Sequence, residues 1–177
     1  MSASGMDDAT QLRALREGDA PWRIVVLNGP NVGRMLAAVD GFDAQLAAWG
    51  ASLGVQVEQF TSNHEGRLLE HIHATSAATH GYLVNPGGLT VIGESLRHAL
   101  RDAKRPHVEV HLDNRELSGQ TSIFAPSVTG IVSGLEQYSY LGALVALVLA
   151  LDDPSFLQPD STDPISRPHG APRSLYG

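Results

Sequence analysis

Amide and imidazole side chains recur in this chain wherever a short apolar run ends. Arg23–Leu27 exits into Asn28-Gly29-Pro30-Asn31, Val55–Phe60 into Thr61-Ser62-Asn63-His64-Glu65, Gly81–Val84 into Asn85-Pro86-Gly87-Gly88, and Val108–His111 into Leu112-Asp113-Asn114. Asparagine offers a donor and an acceptor without charge, which suits a hydroxylated, uncharged or singly charged small molecule better than a triphosphate. His111 adds a group whose reference pKa of about 6.5 makes both protonation states accessible near neutral pH. The same residue types also build turns and caps: Asn, Gly and Pro form turns, Thr61 or Ser62 can cap a helix, and Glu65 suits a helix's first turn.

Four such loops come together on one edge if the runs form a parallel sheet. Short apolar runs alternate with longer amphipathic stretches, the pattern of an α/β fold. Strands are expected at Arg23–Leu27, Val55–Phe60, Gly81–Val84, Val108–His111 and Gly130–Ser133, and helices at Met35–Leu53, Gly66–Thr79, Gly93–Lys104 and Leu135–Leu151. Five strands joined by helices suit a flavodoxin-like, three-layer α/β/α fold with a five-stranded parallel sheet in the order 2-1-3-4-5. Ligands bind such sheets outside the carboxyl ends of the strands, where helix N-termini converge.

The 177 residues carry 12 Lys plus Arg against 19 Asp plus Glu, a net charge of −7. One lysine, Lys104, and scattered arginines make no basic stripe, which argues against nucleic-acid and anionic-membrane partners. The absence of cysteine excludes disulfides, thiolate zinc sites and a cysteine nucleophile. Residues 1–21 read as a polar leader with one short helix and no apolar run of signal-peptide length, which points to a cytoplasmic protein. Residues 22–151 hold the folded domain, and residues 152–177 form a Pro-rich arm. The apolar run Tyr140–Leu151 is too short for a bilayer. It reads as a buried helix, apolar nearly all round, that needs a second covering surface such as another subunit.

Phosphate-binding and nucleophile-elbow motifs are absent. His71 and His73 lie two apart on a helix and so face different directions, and His64 with His111 lacks a third ligand. No metal and no cofactor are expected.

Taken in order, VLNGPNVGR at 26–34, SNHEGRLLEHIH at 62–73, LVNPGGLT at 83–90, SLRHAL at 95–100, VEVHLDN at 108–114, and the P-x-x-T-G-I-V-x-G-L run at 126–135 before a Tyr-Leu helix at 140–141 resemble the type II 3-dehydroquinate dehydratases. The resemblance implies an anti elimination of water through an enolate: a tyrosine removes a proton beside the ketone, an asparagine holds an enolate-stabilising water, and a histidine protonates the departing hydroxyl. By motif match, Asn31 is the enolate-water residue and His111 the general acid. Asn28, Asn85 and the backbone from Leu112 through Asp113 to Asn114 match substrate-binding positions, Arg115 matches one of a usual basic pair, and Asn63, His64 and Glu65 match supporting positions. The family also implies a homo-oligomer, trimers assembled into a dodecamer.

Departures from the pattern are as informative. The family follows its LNGPN motif with a mobile loop carrying an arginine and the catalytic tyrosine, whereas Asn31 here runs into VGRMLAAVDGFDAQLAAWG. The tyrosines are Tyr82, Tyr138, Tyr140 and Tyr176, none between residues 31 and 60. Val91 stands where the family has a substrate-contacting histidine, and His98 where it has an acidic residue. The expectation is therefore a dehydratase-like lyase repurposed to another hydroxylated or cyclic ketone, in specialised metabolism. Two alternatives stand beside it. One is an authentic 3-dehydroquinate dehydratase whose base comes from elsewhere, for example Tyr176 of a neighbouring subunit; the other is a non-catalytic ligand-binding or regulatory homologue.

Overall fold

Runs of Val, Ile and Leu with polar residues only at their ends form strands covered on both faces. In the computed structural model, which describes residues 8–157, these are β1 (Arg23–Asn28) and β3 (Gly81–Asn85); β4 (His107–His111) is as deeply buried but apolar on one face only, at Val108 and Val110, with His107, Glu109 and His111 on the other. β2 (Gln56–Thr61) and β5 (Gly130–Ser133) are half exposed and form the sheet edges. All pairings are parallel and the order is β2-β1-β3-β4-β5, as the sequence pattern predicts.

The helices are α1 (Asp8–Arg13), α2 (Val32–Leu36), α3 (Phe42–Leu53), α4 (Glu65–Thr75), α5 (Glu94–Asp102), α6 (Tyr138–Asp152) and α7 (Pro154–Leu157). Successive strand residues point to opposite faces, and the core divides accordingly. Ile24, Val26, Leu83, Val108 and Val110 pack with α2, α3 and α6 on one face. Val25, Leu27, Tyr82 and Val84 pack with α4 and α5 on the other.

Several expectations are corrected. The single helix expected over Met35–Leu53 is two, because Asp40-Gly41 is a turn: Gly41 takes φ 65°, and the Asp40 carbonyl accepts a hydrogen bond from Gln45 Nε2 at 3.0 Å. α4 stops at Thr75 rather than Thr79. α6 starts at Tyr138 rather than Leu135, since Gly134 and Glu136 hold positive φ just before it. On α6, Tyr140, Ala143, Leu144, Leu147, Val148 and Leu151 are buried within the chain, Gly142 and Ala146 are exposed, and Leu141, Val145 and Leu149 are half buried.

The described part of the leader, residues 8–21, is part of the packed body. α1 lies against α3, and Arg16 reaches the end of α6. Of the arm, Asp152–Leu157 is described as the end of α6 and α7; residues 158–177, including Tyr176, lie outside the described residues. No described helix is long and apolar enough to cross a membrane.

Candidate active site

Parallel pairing sets the strand ends side by side. Asn28 is in register with Thr61 on β2 and Asn85 on β3, and His111 with Ser133 on β5. Alternation then sorts their side chains. Asn28 and Asn85 continue the series that faces α6, whereas His111 continues the series that faces α4 and α5.

On the α6 side, the two asparagines close on Tyr140. The Tyr140 hydroxyl donates to Asn28 Oδ1 at 2.7 Å and accepts from Asn85 Nδ2 at 3.0 Å. Asn28 Nδ2 donates to Thr61 Oγ1 at 3.3 Å, and the Gly87 N–H donates to Asn85 Oδ1 at 3.2 Å. Asn28 and Tyr140 are fully buried and Asn85 is nearly so. Burial pushes the Tyr140 phenol well above its ordinary value, so it stays a neutral hydrogen-bonding group. Sequence reasoning saw Tyr140 only as a helix residue; its apolar surroundings gave no sign that its hydroxyl would meet two strand-end amides. A groove of about 350 Å³ lined by Asp43, Leu46, Ala47, Val57, Gln59 and Thr61 runs between α3 and β2 beside this cluster.

Above the amides, the loops after β1 and β3 are knitted together. The Gly29 N–H donates to the Asn85 carbonyl at 2.8 Å and the Gly88 N–H to the Pro30 carbonyl at 3.0 Å. Asn31 ends the first loop in the left-handed conformation, φ 72°, and its N–H donates to Asn63 Oδ1 at 2.9 Å. Its side chain is exposed, and α2 follows directly. Asn63 thus acts by holding Asn31. His64 is an exposed residue at the start of α4 whose N–H donates to Ser62 Oγ, and Glu65 Oε1 accepts from the Leu96 N–H at 3.0 Å, tying α4 to α5.

On the other face, His111 Nε2 lies 2.7 Å from Glu109 Oε1; both residues are buried. Glu109 carries no role in the sequence reading, although a carboxylate two residues before His111 on one strand is the signal that finds it. A buried carboxylate at this distance fixes which imidazole nitrogen carries the proton and which is left for a ligand. After β4, Leu112 is buried with its carbonyl accepting from the Glu136 N–H at 3.0 Å, Asp113 is exposed, and Arg115 Nη2 donates to Gln120 Oε1 at 2.9 Å. Val91 is 43% exposed and adjoins Ile92 at 71%, an apolar pair in the loop after β3. Among the described residues no group of three His, Cys, Asp or Glu is placed to hold a metal ion.

The family described as dehydroquinase class II matches residues 22–148, from the start of β1 into α6. The chain belongs to this family. Dehydroquinase relatives named 3-dehydroquinate dehydratase include those of Thermus thermophilus, 40% identical over 144 residues covering 73% of this chain and 95% of the relative, and Roseiflexus castenholzii, 37% identical over 134 residues covering 69% and 85%. Among solved structures, a type II dehydroquinase from Butyrivibrio crossotus matches with TM-score 0.65 and 26% identity over 71% of this chain and 97% of that one. A 3-dehydroquinate dehydratase-like protein from Bifidobacterium longum matches with TM-score 0.55 and 25% identity, over 72% and 95%. The chain is thus a type II 3-dehydroquinate dehydratase-like protein with a flavodoxin-like fold and a five-stranded parallel sheet.

Proposed function

We propose that this dehydroquinase is a hydro-lyase in which His111 protonates the departing hydroxyl of a cyclic hydroxy ketone other than 3-dehydroquinate. The observation that carries the reading is the pairing of an intact buried Glu109–His111 dyad with an Asn31 followed at once by α2. The buried carboxylate beside His111 supports an acid role for it, and the segment where the family keeps its tyrosine base has no tyrosine. Of the described tyrosines, Tyr82 and Tyr140 are buried at 0% and Tyr138 stands exposed at the start of α6.

In the elimination, a base takes the proton beside the ketone and the C–H electrons move into an enolate. The enolate then collapses to a carbon–carbon double bond as the carbon–oxygen bond breaks. His111 gives its proton to that oxygen, which leaves as water, and a water held by Asn31 stabilises the enolate charge. With Nε2 directed at Glu109, His111 turns Nδ1 toward the substrate. Asn85 orders the loop that orients the substrate, Val91 makes the rim apolar, and Arg115, Asp113 and the Leu112 backbone bind the substrate alongside them.

A second reading, a true 3-dehydroquinate dehydratase with its base from another segment or subunit, draws support from the names of the relatives at 33–40% identity. One assay separates the two: the purified chain is mixed with 3-dehydroquinate and the enone absorbance of the product is followed. Loss of one positioned proton-transfer group lowers a rate by about 10² to 10⁴-fold, so the proposal expects turnover at least that far below a dehydratase relative assayed alongside. Turnover equal to the relative's and abolished by His111→Ala establishes the second reading. A panel of cyclic β-hydroxy ketones then identifies the substrate by a product that disappears in His111→Ala.

A further inference from the structure

β4 carries three ionisable side chains on one face. His107, Glu109 and His111 are spaced two apart, while Val108, Val110 and Leu112 fill the core on the opposite face. The three are 1%, 0% and 5% exposed. The Glu109 Oε1 to His111 Nε2 contact is closed at 2.7 Å, but Glu109 Oε2 and His107 Nε2 are both buried with no partner among the described residues.

The protonation of His107 follows from its other nitrogen. Nδ1 lies 2.9 Å from the Arg105 carbonyl, which can only accept, so Nδ1 carries the hydrogen and Nε2 of the neutral ring presents a lone pair. An ionised Glu109 also only accepts. Two lone pairs cannot bond each other, yet buried polar atoms are rarely left alone. Residues two apart on a strand share a face with their Cα atoms roughly 6.6 Å apart, and side chains as long as His and Glu can lean toward each other, so that their ends come within the shorter reach of one water with two hydrogens. Burial also pushes the His107 imidazolium down, which keeps the ring neutral, and the Glu109 charge is felt at the ring.

We propose that His107 is a positioning residue for His111: through one internal water it holds the second oxygen of Glu109 and keeps that carboxylate ionised against His111. The water donates one hydrogen to His107 Nε2 and the other to Glu109 Oε2. An ionised Glu109 favours the protonated His111 that a general acid requires, so the importance of this chain for catalysis rests on the reading of His111 as the proton donor. The other groups on this side do not substitute for it. Tyr82, beside His107 on β3, has a buried hydroxyl that makes no hydrogen bond to His107 or Glu109; Glu65 is engaged by the Leu96 N–H; Glu94, Arg97 and His98 pair with one another on α5; Asp113 is exposed and Arg115 bonds Gln120.

The test is NMR of the histidine rings in the free, full-length protein, followed from pH 5 to 9. In His107→Leu the carboxylate loses its donor and takes up a proton more readily, and His111 loses its counter-charge. The His111 transition is expected to move down by at least about 0.5 pH unit, to return in His107→Gln, and to stay in place in Tyr82→Phe, which trims an equally buried group on the adjacent strand. An unmoved or raised transition in folded His107→Leu overturns the proposal. Should that variant fail to fold, the wild-type ¹⁵N shifts decide: a hydrogen on His107 Nδ1 with a hydrogen-bonded Nε2 supports it, and a hydrogen on Nε2 of the neutral ring overturns it. No turnover is involved, so failure on 3-dehydroquinate or on any ketone leaves this result standing, and the reverse.

Discussion

Arg16 grips both oxygens of Asp152, Nε to Oδ2 at 2.7 Å and Nη2 to Oδ1 at 2.8 Å, across 136 residues of sequence. The two side chains are 0% and 5% exposed. Both residues lie outside the segment 22–148 that defines the family, so this chain has clasped its own flanks together over the shared fold. Arg16 also donates to the Leu53 and Ala20 carbonyls, and Trp22 Nε1 donates to Asp152 Oδ1 at 2.8 Å. The ion pair therefore sits in a full set of hydrogen bonds at the junction of leader, α3 and α6.

Breaking one side of such a pair leaves the other charge buried and unpaired. Arg16→Met is expected to lower the unfolding free energy by about 3–5 kcal/mol, whereas replacing both partners by apolar residues of similar size is expected to be nearly neutral. Urea denaturation at pH 7 reads both. A single variant within about 1 kcal/mol of wild type contradicts the idea that the leader is part of the folded body.

The same clasp makes a prediction in acid. Hydrogen bonding from Arg16, outweighing burial, holds the Asp152 carboxyl below its ordinary range. A group whose folded pKa is depressed stabilises the fold fully above its unfolded value of about 3.9, and that stabilisation is lost as pH falls through the lower folded value. Asp152→Asn is therefore expected to be less stable than wild type at pH 7 by a margin that narrows below pH 4. Urea midpoints measured at pH 7, 5, 4 and 3 follow it; a margin that widens on acidification contradicts it.

Short apolar runs alternating with amphipathic stretches made the parallel sheet legible in the sequence, and the doubly wound arrangement of five such strands supplied the order. β1 and β3 are runs apolar on both faces, and their polar last residues, like His111 of β4, marked the strand-end edge. Less legible was what depends on contacts between distant segments. Asn28 and Asn85 read as ligand contacts, yet their amides meet Tyr140, 112 and 55 residues away. Glu109 lay in plain view two residues before His111 on an expected strand, but a shared face does not by itself fix the rotamers that bring the two side chains into contact. The helix through Asp40-Gly41 was misread because its apolar content outweighed a turn signal that the glycine's positive φ makes decisive.

Gly87 shows how tightly the two asparagine loops are joined. It holds φ 55°, and a Cβ there would stand 2.3 Å from the Pro30 carbonyl oxygen and 2.6 Å from Val32 Cγ2. The carbonyl is backbone and cannot swing away, so Gly87→Ala must displace the Pro30–Asn31 turn as well as strain its own φ. A loss of about 1–3 kcal/mol is expected on the backbone cost alone, with a shift of the Asn31 and Gly88 amide resonances in a ¹⁵N spectrum. Unchanged Asn31 shifts in a folded variant contradict the coupling of the two loops.

Tyr140 sets the last prediction. Its hydroxyl both donates to Asn28 and accepts from Asn85, and all three side chains are sealed from solvent. Tyr140→Phe keeps the ring and its edge contact with Phe42, but strands an amide oxygen and an amide N–H. An unsatisfied buried group costs about 1–3 kcal/mol, so a loss of that order is expected in urea denaturation at neutral pH. Because burial raises the folded phenol's pKa, its contribution is complete below the unfolded value of about 10 and falls as pH rises through the folded one. The gap between wild type and Tyr140→Phe is therefore constant from pH 6 to 9 and narrows in stronger alkali. A variant as stable as wild type at pH 7 contradicts a bracing role for the hydroxyl, and it would leave the two asparagines free to serve a ligand instead.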